Sequence, residues 1–311
     1  MRIASLLPSA TEMVFALGLG DSLVARSAEC DFPAEVLARP VVSRTSVDPS
    51  APSAEIDQAV RTRLGEKASL YEVDEPLLAK LQPDLLLTQG LCAVCAPTAE
   101  DVRAVAARLD PKPEVLAFDA HSLEGVLAGL LNLGQATGKE EKAQAEVASL
   151  ARRLEAVRER VPKKPRPVVA LEWFEPPFTA GHWVPEQIAW AGGLDLIARP
   201  GSPSHPVPWE AVVAVDPEVL LLAPCGMEIE RAERELPALT DRKEWSSLRA
   251  VAEGNVWILN GSAYFNRPGP RVVRGVEILA RALHPEAFGA PPDKHDAKRL
   301  RRPRKGKSRK V

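Results

Sequence analysis

The sequence lacks long apolar runs and is poor in aromatic residues and cysteine. Aromatic residues make up 5% of 311 residues, and there are four cysteines. No run of about 18 apolar residues occurs, which predicts a chain without a membrane-spanning helix. Residues 1–8 have no long apolar segment with a small-residue cleavage site. We therefore expect a cytoplasmic chain or a mature extracytoplasmic form whose export signal has been removed.

The common catalytic motifs are also missing. The histidines have no His-x-x-x-His spacing, and there is no Gly-x-Ser-x-Gly, no phosphate-binding Gly-rich loop ending in Lys-Ser/Thr, and no Gly-x-Gly-x-x-Gly. No residue set therefore suggests catalysis, and we predict a protein that is not an enzyme and has no intrinsic cofactor.

The cysteines allow several interpretations. Cys92 and Cys95 form the only close pair, which suits a redox pair, half of a metal site or two buried thiols. A second Cys-x-x-Cys, which a structural zinc site needs, is missing. Cys30 is a further candidate for contact with a metal-centred ligand.

Charge is unevenly distributed along the chain. The net charge is −2, but residues 294–311 contain ten Lys or Arg and one Asp, so the rest of the chain carries −11. An acidic body argues against nucleic acid as a partner. Residues 290–311 are predicted to be a disordered basic tail.

Residues 138–162 have the pattern of a long amphipathic helix. Most residues are good helix formers, and Pro162 is expected to end the helix. Apolar side chains recur at steps of three and four at Val147, Leu150, Leu154, Val157 and Val161. We interpret this segment as a bridge between an N-terminal lobe at 1–137 and a C-terminal lobe at 163–289.

Strands alternate with helices on both sides of this helix. This alternation predicts an α/β fold with two Rossmann-like lobes built on parallel sheets. Residues 81–87 (LQPDLLL) are echoed by 215–221 (VDPEVLL), which favours two related lobes. Ser9 and Glu12 have the spacing of a capping box at the start of the first helix. The predicted strands are 2–7, 85–88, 115–118, 168–173, 219–222 and 256–259, and the predicted helices include 77–81, 101–109, 123–133, 185–191, 209–213 and 270–283.

The aromatic residues are concentrated after the long helix. All six tryptophans follow it, and three aromatic clusters lie where strands lead into loops or helices, at 173–181, 206–210 and 264–271. Such loops suit stacking on a planar ligand, with an arginine as a charged contact. On position alone, Trp190 and Trp257 are expected to be core residues, whereas Trp209 and Phe265 could face a ligand.

Several motifs resemble one known family. They are SLLPSATE at residues 5–12 with Leu17 and Gly18, QPD at 82–84, PPFTAG at 176–181, VPW at 207–209 and YFNR at 264–267 with Pro270 and Arg271. Over residues 2–284 the chain resembles the substrate-binding proteins of iron-chelate and cobalamin ABC importers, and it is most similar to the cobalamin-binding members. The resemblance implies two α/β lobes joined by one long helix, with the ligand between them.

The resemblance and the loop positions together give a set of candidate site residues. The resemblance implies docking of Glu75 and Glu210 onto arginines of a permease. A monomer without a membrane span is expected. The candidates for ligand binding are Trp209, Arg267, Phe265, Tyr264, Trp173, Phe174, Phe178, Pro8, Ser9 and Gln89.

The sequence departs from the family pattern at two positions. Gln89 stands at a strand end where an aromatic residue would help, and Ala263 stands where an acidic ligand contact is expected. We predict binding of a corrinoid, cobalamin, for delivery to an ABC importer. The alternatives are a haem or iron-chelate (siderophore) receptor on the same scaffold, and an intracellular metal- or corrinoid-handling enzyme that uses Cys92 and Cys95.

Overall fold

The computed structural model describes residues 1–91, 94 and 96–300, so Cys92 and Cys95 lie outside the described residues. The chain divides into two compact units. Unit 1 comprises Met1–Arg153 with Arg267–Val272, and unit 2 comprises Leu154–Asn266 with the chain from Val273 onward. Each unit holds a largely parallel sheet with helices, so the predicted two-lobe α/β fold is confirmed.

Unit 1 is built on a six-stranded sheet of order β4-β3-β2-β1-β5-β6. Neighbouring strands are parallel except β3 and β4, which pair antiparallel at the edge. The strands are β1 (Ile3–Ser5), β2 (Leu23–Ser27), β3 (Val41–Thr45), β4 (Tyr71–Val73), β5 (Leu85–Gln89) and β6 (Glu114–Phe118). The helices are α1 (Pro8–Ala16), α2 (Ser53–Gly65), α3 (Glu75–Leu81), α4 (Ala99–Ala106) and α5 (Leu123–Thr137), with 3₁₀ turns at Gly20–Ser22 and Ala34–Ala38.

The long helix α6 (Glu140–Arg158) begins in unit 1 and ends in unit 2. Of its predicted apolar stripe, Leu150, Leu154 and Val157 are buried and Val147 and Val161 are half-buried. The periodic pattern therefore identified the face of α6 that packs inward. The proposed lobe boundaries at 137 and 163, and the role of the helix as a rigid bridge, stay predictions.

Unit 2 has a sheet of order β12-β11-β10-β7-β8, and β9 also pairs with β7. The pairs β7–β8 and β11–β12 are antiparallel, and the remaining pairs are parallel. The strands are β7 (Arg166–Phe174), β8 (Pro177–Thr179), β9 (Gly193–Asp195), β10 (Val219–Leu222), β11 (Val256–Leu259) and β12 (Ala297–Arg299). The helices are α7 (Val184–Trp190), α8 (Trp209–Val215), α9 (Ile229–Glu235), α10 (Pro237–Thr240), α11 (Arg249–Glu253), α12 (Gly261–Tyr264), α13 (Val272–Leu283) and α14 (Pro285–Phe288), with a 3₁₀ turn at Trp245–Ser247. None of the helices in the described part of the chain is long and apolar enough to cross a membrane.

The similar sequences at residues 81–87 and 215–221 form the same local structure, once in each unit. Helices α3 and α8 both end at a left-handed residue, Gln82 with φ 44° and Asp216 with φ 41°. A proline and an acidic residue follow, and the chain enters β5 or β10. The Asp84 amide donates to the Arg2 carbonyl, next to β1, at 2.7 Å. The Glu218 amide donates to the Pro167 carbonyl of β7 at 3.0 Å. The proline prevents the helix from continuing, so the strand begins at a defined residue.

The predicted capping box at Ser9 is wrong. Helix α1 has Leu7 as its N-cap and Pro8 as its first residue, and the N-cap makes no side-chain hydrogen bond. Proline suits the first helical position because it has no amide hydrogen to leave unpaired. Ser9 and Glu12 therefore lie two positions too far along, and the Glu12 carboxylate instead binds Arg271.

The predicted disorder of residues 290–311 is wrong for the part that forms β12. Arg299 donates to the Gly254 carbonyl at 2.6 Å and to Asn255 Oδ1 at 2.7 Å. The buried Asp296 accepts from Arg274 at 2.6 Å. The high charge of this segment predicted disorder. Composition alone does not show that residues distant in sequence pair with these charged side chains. Residues 301–311 lie outside the described residues.

The left-handed turn gives a stability prediction. We expect Gln82→Gly to stabilise the protein by about 1 kcal/mol, because a non-glycine residue at positive φ is strained. As a matched control, Gln144→Gly in the exposed middle of α6 should destabilise by about 1 kcal/mol. Urea midpoints followed by circular dichroism measure both changes. Equal destabilisation by the two variants would contradict a strained turn at Gln82.

Candidate functional site

In unit 1 the carboxyl ends of β1, β2 and β5 meet at one edge of the sheet, where ligands commonly bind in α/β folds. Three predicted ligand residues lie there, but all are buried. Pro8 and Ser9 form the first turn of α1, and a Cβ added to Gly269 would lie 3.3 Å from Ser9 Cα. Gln89 is 4% exposed at the end of β5 and donates to the Ala96 carbonyl at 3.4 Å. The expectation that these side chains face a ligand is therefore not met in this structure.

Arg267 is paired within unit 1. Its guanidinium makes a bidentate ion pair with Asp31, at 2.5 and 2.9 Å, and also donates to the Glu29 carbonyl at 3.1 Å. The side chain is 14% exposed. Burial lowers the pKa of Arg267 and Asp31 raises it, with a net rise. The predicted free edge donor is thus already committed to a carboxylate 236 residues away in sequence, a partner that no local pattern indicated.

A second arginine–carboxylate pair lies beside the first. Arg271 donates to both carboxylate oxygens of Glu12, at 2.6 and 3.0 Å, and its guanidinium lies 4.1 Å from the centre of the Phe32 ring. The Glu12 side chain is only 3% exposed. Burial raises the pKa of Glu12, and the hydrogen bonds from Arg271 oppose that rise. Together the two pairs fix residues 267–272 onto the start of α1 and the loop after β2.

Cys30 is buried against this cluster. It is 1% exposed, and the Thr11 hydroxyl donates to its sulfur at 3.0 Å. Burial raises the pKa of the Cys30 thiol to about 11. A metal ligand must be a thiolate, so this environment disfavours Cys30 as a ligand at neutral pH. No group of His, Cys, Asp or Glu suited to a metal ion occurs among the residues that the structure describes.

In unit 2 the predicted aromatic loop is a β-hairpin. Strands β7 and β8 pair so that Trp173 lies opposite Phe178 and Phe174 lies opposite Pro177. Phe174 is fully buried in the core, whereas Trp173 and Phe178 are half-buried. Residues that pair directly across two strands share one face of the sheet. The hairpin therefore presents two partly accessible rings side by side at the carboxyl end of β7.

Trp209 is a core residue, contrary to the prediction of an exposed ring. It is 4% exposed, its ring stacks on Trp245 with centroids 6.2 Å apart, and the Arg242 guanidinium lies 5.5 Å from the ring centre. As the first residue of the short helix α8, it packs against the sheet with the neighbouring Val212. A tryptophan at a strand-to-helix junction can face either way, and here the apolar face of α8 turns it inward.

Phe265 is also a core residue, and it is fully buried. Its carbonyl accepts from the Trp183 indole at 2.9 Å, and the carbonyl of the half-buried Tyr264 accepts from the Gln187 amide at 3.0 Å. These bonds hold the end of α12 against α7. Tyr264 therefore keeps part of its side chain accessible, whereas Phe265 does not.

The two predicted docking glutamates are both at helix starts. Glu210 is exposed in the first turn of α8. Glu75 is the first residue of α3, its side chain is 37% exposed, and Arg108 pairs with it at 2.5 and 3.0 Å. The hydrogen bond from Arg108 lowers the pKa of Glu75. Exposed ion pairs of this kind contribute little stability.

Comparison with known proteins identifies the family. Residues 3–263 match the model of the periplasmic binding protein family, so the chain belongs to that family. Its members are solute-binding proteins rather than enzymes, which confirms the prediction of no catalysis and excludes the enzyme alternative built on Cys92 and Cys95.

Particular relatives add detail. A substrate-binding lipoprotein of an ABC transporter in Bacillus subtilis, YvrC, is 25% identical over 300 residues, covering 92% of this chain and 81% of the relative. The vitamin B12-binding protein of Vibrio campbellii is 25% identical over 280 residues, covering 88% and 86%. A periplasmic heme-binding protein from Pseudomonas aeruginosa has the same fold, with a TM-score of 0.72 at 20% identity over 97% of this chain and 99% of that one.

The buried thiol gives a reactivity prediction. We expect a variant that retains only Cys30, with the other three cysteines changed to serine, to react with Ellman's reagent at pH 8 at least about 100-fold more slowly than a variant that retains only the half-buried Cys225. The reason is that a thiol with a pKa of about 11 has very little thiolate at pH 8. Thiol absorbance kinetics on the folded proteins give the rates. Comparable rates would contradict the burial of Cys30.

Proposed function

We propose that this chain is the substrate-binding protein of an ABC importer and that its ligand is a corrinoid, cobalamin. The proposal rests chiefly on the B12-binding relative from Vibrio campbellii, which matches nearly the whole chain. The lipoprotein relative in Bacillus subtilis supports the link to a transporter. On this proposal the protein works outside the cytoplasm, as a monomer, and passes its ligand to a permease.

The aromatic hairpin is the feature of this chain that supports a broad macrocyclic ligand. Trp173 and Phe178 offer adjacent apolar faces, and each side chain remains partly accessible. Tyr264 adds a third partly accessible ring with a polar edge. Rings of this kind bind the flat face of a ligand, and the hydroxyl suits a polar substituent. Trp173, Phe178 and Tyr264 are therefore our remaining aromatic candidates for ligand contact.

A haem or iron chelate is the alternative ligand, and the fold shared with the heme-binding protein favours it. Haem carries carboxylates, so it would need cationic partners. Arg267 and Arg271 are both paired with carboxylates already. Recruiting Arg271 would require the buried Glu12 to give up its partner, and a buried carboxylate without its partner costs about 3–5 kcal/mol. Recruiting Arg267 would break its pair with Asp31, which costs less because the Asp31 side chain is 50% exposed. A corrinoid without that charge makes no such demand.

A titration panel tests the ligand. We expect cyanocobalamin to quench tryptophan fluorescence, because the corrin absorbs the emitted light and would lie against Trp173. Trp173→Ala should weaken binding at least about tenfold, since lost stacking and buried area together exceed about 1.4 kcal/mol. Trp190→Ala is the matched control, because Trp190 is half-buried in the same unit but packs under Arg158 at the end of α7.

Haemin and a ferric hydroxamate are titrated alongside cyanocobalamin. Saturable binding of haemin or the hydroxamate, with a flat response to cyanocobalamin up to about 1 mM, would overturn the corrinoid assignment. Equal losses in the two tryptophan variants would remove the hairpin from the proposed site without changing the ligand.

A charge-reversal experiment tests docking to a permease. We expect Glu75→Lys combined with Glu210→Lys to reduce uptake of labelled cobalamin at least about tenfold and to leave ligand affinity unchanged, because opposite charges at an interface set orientation and association rate. Releasing Glu75 from Arg108 costs little, since that pair is exposed. The control is the double reversal of Glu72 and Glu230, which are exposed and lie in different units. Normal uptake by the Glu75/Glu210 variant would show that these glutamates do not dock.

A further inference from the structure

Unit 2 contains a cavity of about 410 Å³ beside β12 that the proposed function does not use. Its walls come from β11, β12, the last turn of α13 and the segment that joins α14 to β12. Proline and alanine side chains and the Trp257 ring give it an apolar lining, and the ring itself is 7% exposed. Its volume is in the range of small-molecule sites.

All the charged residues that line this cavity are cationic. Five cationic residues line it, and no aspartate or glutamate does. They are Arg166, Arg281, Lys294, Lys298 and Arg299. Like charges gathered around a partly enclosed, apolar-walled space repel one another and raise the local positive potential.

Two of these five charges have a carboxylate partner. Arg166 lies 3.5 Å from Glu218, and Lys298 lies 2.5 Å from Glu233. Both glutamates approach from outside the cavity lining. The positive charge of these two residues is therefore partly compensated within the protein.

The other three charges have no carboxylate partner among the described residues. Arg299 donates only to neutral oxygens, the Gly254 carbonyl and Asn255 Oδ1, and its guanidinium lies 5.8 Å from the centre of the Trp257 ring. These contacts orient the guanidinium without neutralising it. Arg281 is half-buried and Lys294 is exposed, and neither side chain makes a hydrogen bond or ion pair within the part of the chain that the structure describes.

We propose that this cavity binds a small anion bearing phosphoryl groups. Phosphoryl oxygens match the planar fork of an arginine, and a compact lysine ammonium adds a point charge at the rim. Binding neutralises Arg281, Lys294 and Arg299 together. The following residues 301–311 cannot supply the counter-charge with their side chains, because they contain seven Lys or Arg and no Asp or Glu.

Calorimetric titration of the full chain with pyrophosphate, at a constant ionic strength set with sodium chloride, tests the proposal. We expect saturable binding with a Kd below about 1 mM. Arg281→Gln should weaken it at least about fivefold, and Lys294→Gln about threefold, because each removes one of the uncompensated charges. Lys294 is exposed, so its variant reports binding even if the Arg281 variant folds poorly.

Arg199→Gln is the matched control. Arg199 is an exposed arginine of the same unit, in the loop after β9, and it does not line the cavity. Pyrophosphate affinity should be unchanged in this variant. An equal loss in all three variants, or no saturable binding of pyrophosphate, would overturn the proposal.

Co-sedimentation with vesicles identifies the source of the phosphoryl group. Vesicles of phosphatidylcholine with about one-fifth phosphatidylglycerol are compared with pure phosphatidylcholine. Binding to the anionic vesicles that pyrophosphate displaces and that Arg281→Gln reduces would assign a lipid headgroup. Pyrophosphate binding without vesicle binding would assign a free phosphoryl anion.

Discussion

The two arginine–carboxylate pairs of unit 1 are the interactions on which the rest of that unit's candidate site depends. Glu12 is nearly inaccessible to solvent, and Arg271 is its bidentate partner. Removing one member of such a buried pair typically costs about 3–5 kcal/mol, since the other charge is left without compensation. The pairs hold residues 267–272 against α1, although these residues follow α1 by more than 250 positions. That segment covers Ser9, and its Arg267 is already paired with Asp31. Neither of these two expected ligand residues is therefore free to contact a ligand in this structure.

Local patterns predicted six of the strands, β1, β5, β6, β7, β10 and β11, because the signals of these elements are local. Strand β5 (Leu85–Gln89) is fully buried, and its apolar residues predicted a strand at 85–88. The proline–acid pair after Gln82 and after Asp216 marked two turns that prove to have the same backbone geometry. In α6 the spacing of Leu150, Leu154 and Val157 identified the buried face. Each of these signals depends on residues within a few positions of one another, and the sequence displays them directly.

The direction of a side chain at the end of an element was not predictable in the same way. Trp173 and Trp209 both stand at junctions between a strand and a loop or helix, and the same argument was applied to both. Trp173 lies beside its cross-strand neighbour Phe178 and stays partly accessible, whereas Trp209 turns into the core and stacks on Trp245. The difference depends on contacts with other parts of the fold, which the local sequence pattern does not display. The same holds for Arg267 and Asp31, and for β12, whose charged side chains find partners near β11 and α9.

The fold alone does not identify the ligand, because proteins with the same fold carry different binding sites. A solved heme-binding protein at 20% identity shares this fold, while the side chains at a site decide what is bound. In this chain the arginines of residues 267–272 are paired with carboxylates within unit 1, and the β7–β8 hairpin keeps two partly accessible aromatic rings. Such a division favours a ligand recognised through a broad apolar face over one recognised through its negative charge. A separate group of uncompensated positive charges lies beside β12, where an anion would meet Arg281, Lys294 and Arg299 and not the aromatic hairpin.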